Sequence, residues 1–112
     1  MATATVQILS GSTNGKPIAV TATSSSSVQT IHTCSSSSYD EVYLEAANIT
    51  DTDCELTITA GGVVVTTVTL AAKAGLAMIL NGVRYTGSVA IGAYADTASA
   101  VNISGWVNRV TN

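Results

Sequence analysis

Charge is scarce in this chain. Only 10% of its 112 residues are charged, and four of them are basic: Lys16, Lys73, Arg84 and Arg109. These four are scattered along the sequence. Neutralising phosphates takes clustered Lys and Arg, so nucleic-acid binding is not expected, and an anionic membrane surface is disfavoured for the same reason. Phe is absent, Trp106 is the only tryptophan, Pro17 the only proline and His32 the only histidine. The two cysteines, Cys34 and Cys54, are too few for a disulfide-dense scaffold. No run nears the roughly 18 apolar residues of a membrane span. The opening MATATVQILSGSTNGK has neither a basic n-region nor a long apolar stretch, so a secretory signal is not expected. The chain reads as made in a cytosol with both thiols reduced. An intramolecular Cys34–Cys54 bridge is the alternative.

What is abundant is Val, Ala, Ile, Leu, Ser and Thr, and the hydrophobic fraction is 46%. That is not a disordered composition, and the length suits one domain with one core. β-branched residues are stiff at χ1 and pack well on a pleated surface. A free monomer normally keeps a charged surface. The low charge here fits a protein that buries part of its outside in an assembly.

The apolar residues alternate with period 2 in many short stretches. Thr5–Leu9 alternates, SGSTNGKP then turns, and Ile18–Thr23 alternates again. In SSSSVQTIHTCSSSS a short strand lies between serine loops, with Val28, Thr30 and His32 on one face and Gln29, Ile31 and Thr33 on the other. Glu41–Ile49 and Cys54–Thr59 follow, separated by a turn at Asp51-Thr52-Asp53. Gly61-Gly62 marks a hairpin into Val63–Leu70. Residues 41–70 therefore read as a three-stranded meander. Ala71–Gly75 is too short for a helix. Leu76–Leu80 is apolar, Asn81-Gly82 reads as a tight turn, and Val83–Tyr85, Val89–Tyr94 and Ala100–Val107 close the chain. Eight or nine short strands at this spacing predict an all-β fold: an antiparallel β-sandwich, jelly-roll-like or Greek-key. Residues 1–17 form a polar N-terminal arm with a possible short strand, and residues 18–112 one β-sandwich domain. Val42, Leu44, Leu56, Ile58, Ile91, Val101 and Ile103 are the expected core.

Candidate chemistry is thin. His32 and Cys34 share a strand face and are the only candidate for a Cys-His dyad, yet the neighbours are serines, Asp40 and Glu41, not the electropositive setting a nucleophilic thiol needs. A half-exposed histidine beside a small buried thiol is the reading adopted. Asp51, Asp53 and Glu55 alternate as carboxylates do in calcium loops, but the run passes straight into a strand. His32, Cys34 and Cys54 supply only three zinc ligands, where structural sites have four. No catalytic residue, metal or cofactor is expected. Tyr39, Tyr43, Tyr85, Tyr94 and Trp106 suit either a sugar-stacking face or a core and interface.

Three stretches carry a resemblance: YDEVYLEAANITDTDCELTITAGG, VTLAAKAGLAMILNG and SVAIGAYADTASAVNISGWV. Their layout resembles small β-sandwich virion structural proteins of tailed bacteriophages. The matching pieces are Ala46–Thr50, Leu70 with Ala74-Gly75-Leu76, and Ala95-Asp96 with Val101–Gly105. The likeness spans roughly residues 18–108. It departs in the serine run, which replaces a usual proline, and at Asp40 and Glu41, which stand where basic residues are usual. The resemblance implies a capsid decoration (cement) protein on the capsid exterior, synthesised in the host cytoplasm. Such a protein is not an enzyme; it is a homotrimer bound to the major capsid protein. The small, polar composition of Met1–Lys16 suggests, separately, an arm that orders on binding. The alternative is a tail- or fibre-associated module binding a host-surface glycan or protein.

Overall fold

In the computed structural model, which describes residues 3–111, nine strands form two antiparallel sheets. They are β1 (Thr3–Ile8), β2 (Ile18–Ala19), β3 (Gln29–Thr33), β4 (Tyr39–Asn48), β5 (Cys54–Ala60), β6 (Val63–Leu70), β7 (Ala77–Tyr85), β8 (Ala90–Ala95) and β9 (Val101–Thr111). One short 3-10 turn, Ser25–Ser27, is the only helical element among the described residues. The first sheet runs β1-β9-β4-β7, with β2 also paired to β9, and the second runs β3-β8-β5-β6. The fold is all-β, as expected. Among the described residues, no helix is long and apolar enough to cross a membrane.

Strand β4 shows why these residues fold this way. Along it, exposure alternates at every step. Asp40, Val42, Leu44, Ala46 and Asn48 are buried, while Tyr39, Glu41, Tyr43, Glu45 and Ala47 face out. On β9 the partners of the inward set continue the core: Val107 opposite Val42, Gly105 opposite Leu44 and Ile103 opposite Ala46. Leu56 and Ile58 from β5 and Ile91 from β8 cover them from the second sheet. All seven residues expected in the core are buried. Each such Val, Leu or Ile contributes about 1.5–3 kcal/mol on leaving water. Gly105 is required by close approach, since a Cβ there would lie 2.0 Å from the Tyr43 carbonyl oxygen.

The structure corrects four details of the sequence reading. The segment 41–70 is not one meander: β5 and β6 form the expected hairpin, but β4 belongs to the other sheet. Asn81-Gly82 is not a turn. It lies inside β7, where the register slips between Val42 and Tyr43, and Gly82 (φ +76°) is the bulged residue, with the Tyr43 ring over it. Ile18–Thr23 is a strand only over Ile18–Ala19; Val20 then continues along β9 by donating its N–H to the Val101 carbonyl. In β3 a bulge between Thr30 and His32 breaks the alternation, so Ile31 and His32 are both buried.

The N-terminal segment is integrated, not merely an arm. β1 pairs with the C-terminal half of β9 from Thr3↔Thr111 to Ile8↔Trp106, and Leu9 enters the core. Met1 and Ala2 lie outside the described residues.

Candidate functional site

A buried cluster of ionisable side chains sits between the sheets at one end of the sandwich. It arises because three charged or polar residues fall at inward positions. Asp40 has the same parity as Val42 and Leu44 on β4, Arg109 the same parity as Val107 on β9, and the β3 bulge turns His32 inward. Asp40 is fully buried and accepts four hydrogen bonds. Arg109 donates twice, Nε to Oδ1 at 2.8 Å and a terminal nitrogen to Oδ2 at 3.0 Å. The Ser35 N–H donates to Oδ2 at 3.1 Å, and His32 Nε2 lies 2.9 Å from the same oxygen. On the other side of the ring, the Ser10 N–H donates to Nδ1 at 3.0 Å. Nδ1 is thus an acceptor, and Nε2 carries the proton that goes to Asp40.

Burial pulls the Asp40 carboxyl up, but the bonds from Arg109, His32 and Ser35 outweigh it and hold the pKa at about 2. The charges balance as a buried Asp–Arg pair, and no buried side-chain nitrogen or oxygen among the described residues lacks a partner. Cys34 completes the cluster. Burial raises its thiol to about 11, the Asp40 charge adds to that, and Arg109 offsets part of it.

These facts decide between chemistry and structure. The expected half-exposed His32 is instead 1% exposed. A Cys-His dyad needs a ring nitrogen free to take the thiol proton, and here both are engaged. The thiol also lacks the depressed pKa of a nucleophile. His32, Cys34 and Asp40 place ligand atoms within 4.8 Å of one another. A metal there would have to displace Arg109, the Ser10 N–H or the His32 proton from bonds already made, so the donor set does not fit a metal. The cluster is a pin joining β3 of one sheet to β4 and β9 of the other.

The other candidates separate. Cys54 is remote from His32 and Cys34; its thiol donates to Asp96 Oδ1 at 2.9 Å. Both cysteines are free thiols, so the alternative bridge does not form. Asp51 pairs with Lys73 at 2.7 Å, and Asp53 accepts the Ala72 N–H. Asn48 ties this loop, donating to the Thr52 and Leu70 carbonyls. Asp51, Asp53 and Glu55 do not converge on a common point.

Of the five aromatic residues, three share the outer face of the first sheet. Tyr43 and Trp106 are cross-strand partners, stacked with centroids 4.9 Å apart and planes 9° from parallel. Ile8 flanks Trp106 on β1, and Val6, 74% exposed, follows two residues away. Tyr39 lies on the same face at the end of β4. Next to the stack, Glu41 accepts from Arg84 Nε at 2.8 Å and Asn108 Nδ2 at 2.9 Å. Tyr85 instead packs against the core, and Tyr94, opposite Thr57, belongs to the second sheet. No protein-family profile matches the chain, and no curated protein matches it.

The parity of Asp40 and Arg109 is the signal that sequence reading missed. Two opposite charges in phase with apolar residues on two strands predict a buried pair.

Proposed function

We propose that this protein is a structural, non-enzymatic assembly module of the virion, a capsid decoration protein that binds the major capsid protein on the capsid exterior as a homo-oligomer. One observation carries this reading: the outer face of the first sheet presents Val6, Ile8, Tyr39, Tyr43 and Trp106 together. A contiguous apolar and aromatic face with a polar rim is what a protein interface uses. The interior supports the same reading, because the His32–Cys34–Asp40 cluster is spent on joining the sheets. The resemblance in layout to small virion proteins over residues 18–108 supports the choice of a capsid lattice as the partner. A site repeated over a capsid turns modest single contacts into a large summed effect.

The test is co-sedimentation with tailed-phage capsids stripped of decoration protein. The proposal expects the protein to pellet with capsids and Trp106→Lys to weaken this at least tenfold. Equal binding of the variant, or none by the wild type, contradicts it.

A second reading has its own observation. The Tyr43–Trp106 stack beside Glu41, Arg84 and Asn108 combines an aromatic surface with hydrogen-bonding groups, as a glycan-recognition module of a tail or fibre would. Glycan binding lost in Trp106→Ala, without capsid binding, selects it.

A further inference from the structure

We infer that an arginine side chain of the partner occupies the Trp106–Glu45 end of the first sheet's outer face, its guanidinium stacked on the aromatic pair and bonded to the Glu45 carboxylate. This deepens the capsid reading and rests on it for the identity of the partner. The chemistry of the occupant rests on the face alone.

Tyr43 stands between two glutamates on β4. Glu41 and Glu45 are each two residues away and on the same outer side of the strand. Their surroundings differ. Glu41 has Asn108 directly across on β9 and Arg84 directly across on β7. Both donate to it, Asn108 Nδ2 at 2.9 Å and Arg84 Nε at 2.8 Å. Glu45 has Ser104 across on β9 and Met78 across on β7. Neither is a cation, and Glu45 makes no ion pair among the described residues. A carboxylate half-buried between a thioether and an aromatic pair has lost part of its water without gaining a partner. The chain thus builds the same position twice and completes one of them.

Charge says what completes the other. Three of the four basic residues are already used: Arg109 on Asp40, Arg84 on Glu41 and Lys73 on Asp51. Lys16, the fourth, lies between β1 and β2, across β9 from Glu45, and makes no ion pair among the described residues. The cation therefore comes from outside a chain whose net charge is −3. A sugar hydroxyl would bond Glu45 too, but would leave its charge uncompensated.

The neighbours favour arginine over lysine. Trp106 is diagonal to Glu45 across the β4–β9 pair, 39% exposed, and stacked on Tyr43. A guanidinium is planar, lies flat on an aromatic face and bonds a carboxylate through two parallel N–H groups, whereas an ammonium is a point charge. Diagonal neighbours on paired strands lie about 7–8 Å apart, so one guanidinium touches both. Beyond Trp106, Val6 and Ile8 on β1 offer an apolar surface to the rest of the partner's contact.

The experiment follows the fluorescence of Trp106, the only tryptophan, during titration with a blocked peptide of arginines alternating with glycines. Its citrulline counterpart keeps the shape and loses the charge. Three variants are compared with the wild type: Glu45→Gln, Met78→Arg, and Glu55→Gln on the outer face of the second sheet. Each shifts the net charge by the same single unit, so overall charge does not separate them. Met78 is 49% exposed, and an arginine there copies Arg84 opposite Glu41 and closes the site from within. The wild type and Glu55→Gln are expected to bind the arginine peptide saturably. The citrulline peptide, and the arginine peptide on Glu45→Gln or Met78→Arg, bind about fivefold more weakly, the upper range for one charge pair near a surface. The same order holds for pelleting with stripped capsids. Equal binding of both peptides, an equal loss in Glu55→Gln, or wild-type affinity in Glu45→Gln overturns the inference. If Glu45→Gln or Met78→Arg unfolds on melting, the other decides. Peptide binding through Glu45 without capsid binding supports the arginine site and overturns the capsid reading. Capsid binding that ignores both Glu45 and Met78 overturns the arginine inference and leaves the capsid reading standing.

Discussion

The two flanks of this sandwich treat their strand edges in opposite ways. On the β3 flank, residues 9–12 and 19–21 lie along the edge and hydrogen-bond to it, and the Ser10 N–H reaches the His32 ring. Behind that edge the Asp40–Arg109–His32 cluster bolts one sheet to the other. The β6 edge pairs with nothing beyond β5 among the described residues, carries no charge or proline along Val63–Leu70, and is interrupted only by a bulge at Val65. The chain therefore covers the edge behind which its polar cluster lies and leaves the edge remote from that cluster bare.

The largest expected effect comes from breaking the seam. Asp40→Ala leaves Arg109 half-buried and unpaired and takes the acceptor from the Ser35 N–H. The Arg109 side chain is 31% exposed and rehydrates in part, so the loss falls toward the lower end of the about 3–5 kcal/mol that removing one member of a fully buried pair costs. Denaturant melts should show that loss, while a change below about 1 kcal/mol would reduce the cluster to a surface-like ion pair.

Acid acts on the same seam more gently. The folded-state pKa of Asp40 is about 2, below its ordinary 3.8. A carboxyl depressed by folding adds stability above its unfolded pKa and loses it as pH falls through the folded value. Asp40 accordingly contributes about 2 kcal/mol above pH 4, lost between about pH 4 and pH 2. Melts of the wild type against Asp40→Asn over that range should converge toward low pH. Parallel curves would mean that Asp40 does not titrate with folding.

Much of this was legible in the sequence because period-2 alternation survives wherever a strand has one wet face. The core of β4, β5, β8 and β9 follows from that rule, and so does the Gly61-Gly62 hairpin. What was not legible follows from local departures. A bulge shifts parity without any composition signal, so His32 was placed half-exposed when it is buried. Gly82 carries the same signature in a turn and in a bulge; only its partner Tyr43, 39 positions away in sequence, tells them apart. Sheet membership is likewise silent in the alternation, which is why β4 read as a neighbour of β5. At the candidate site the pair Asp40–Arg109 was readable by parity, but its tie to His32 required the bulge.

The smallest perturbation gives the most direct test, because it changes no residue. Hydrogen exchange compares the two edges in one molecule. The account predicts that the amides of Gly11 and Thr33, both engaged across the β3 edge, exchange slowly. The outward-facing amides of Thr66–Leu70, which have no partner beyond β5 among the described residues, exchange fast. Exchange at Gly11 and Thr33 as fast as along the outward side of β6 would contradict the claim that the β3 edge is closed by the chain itself.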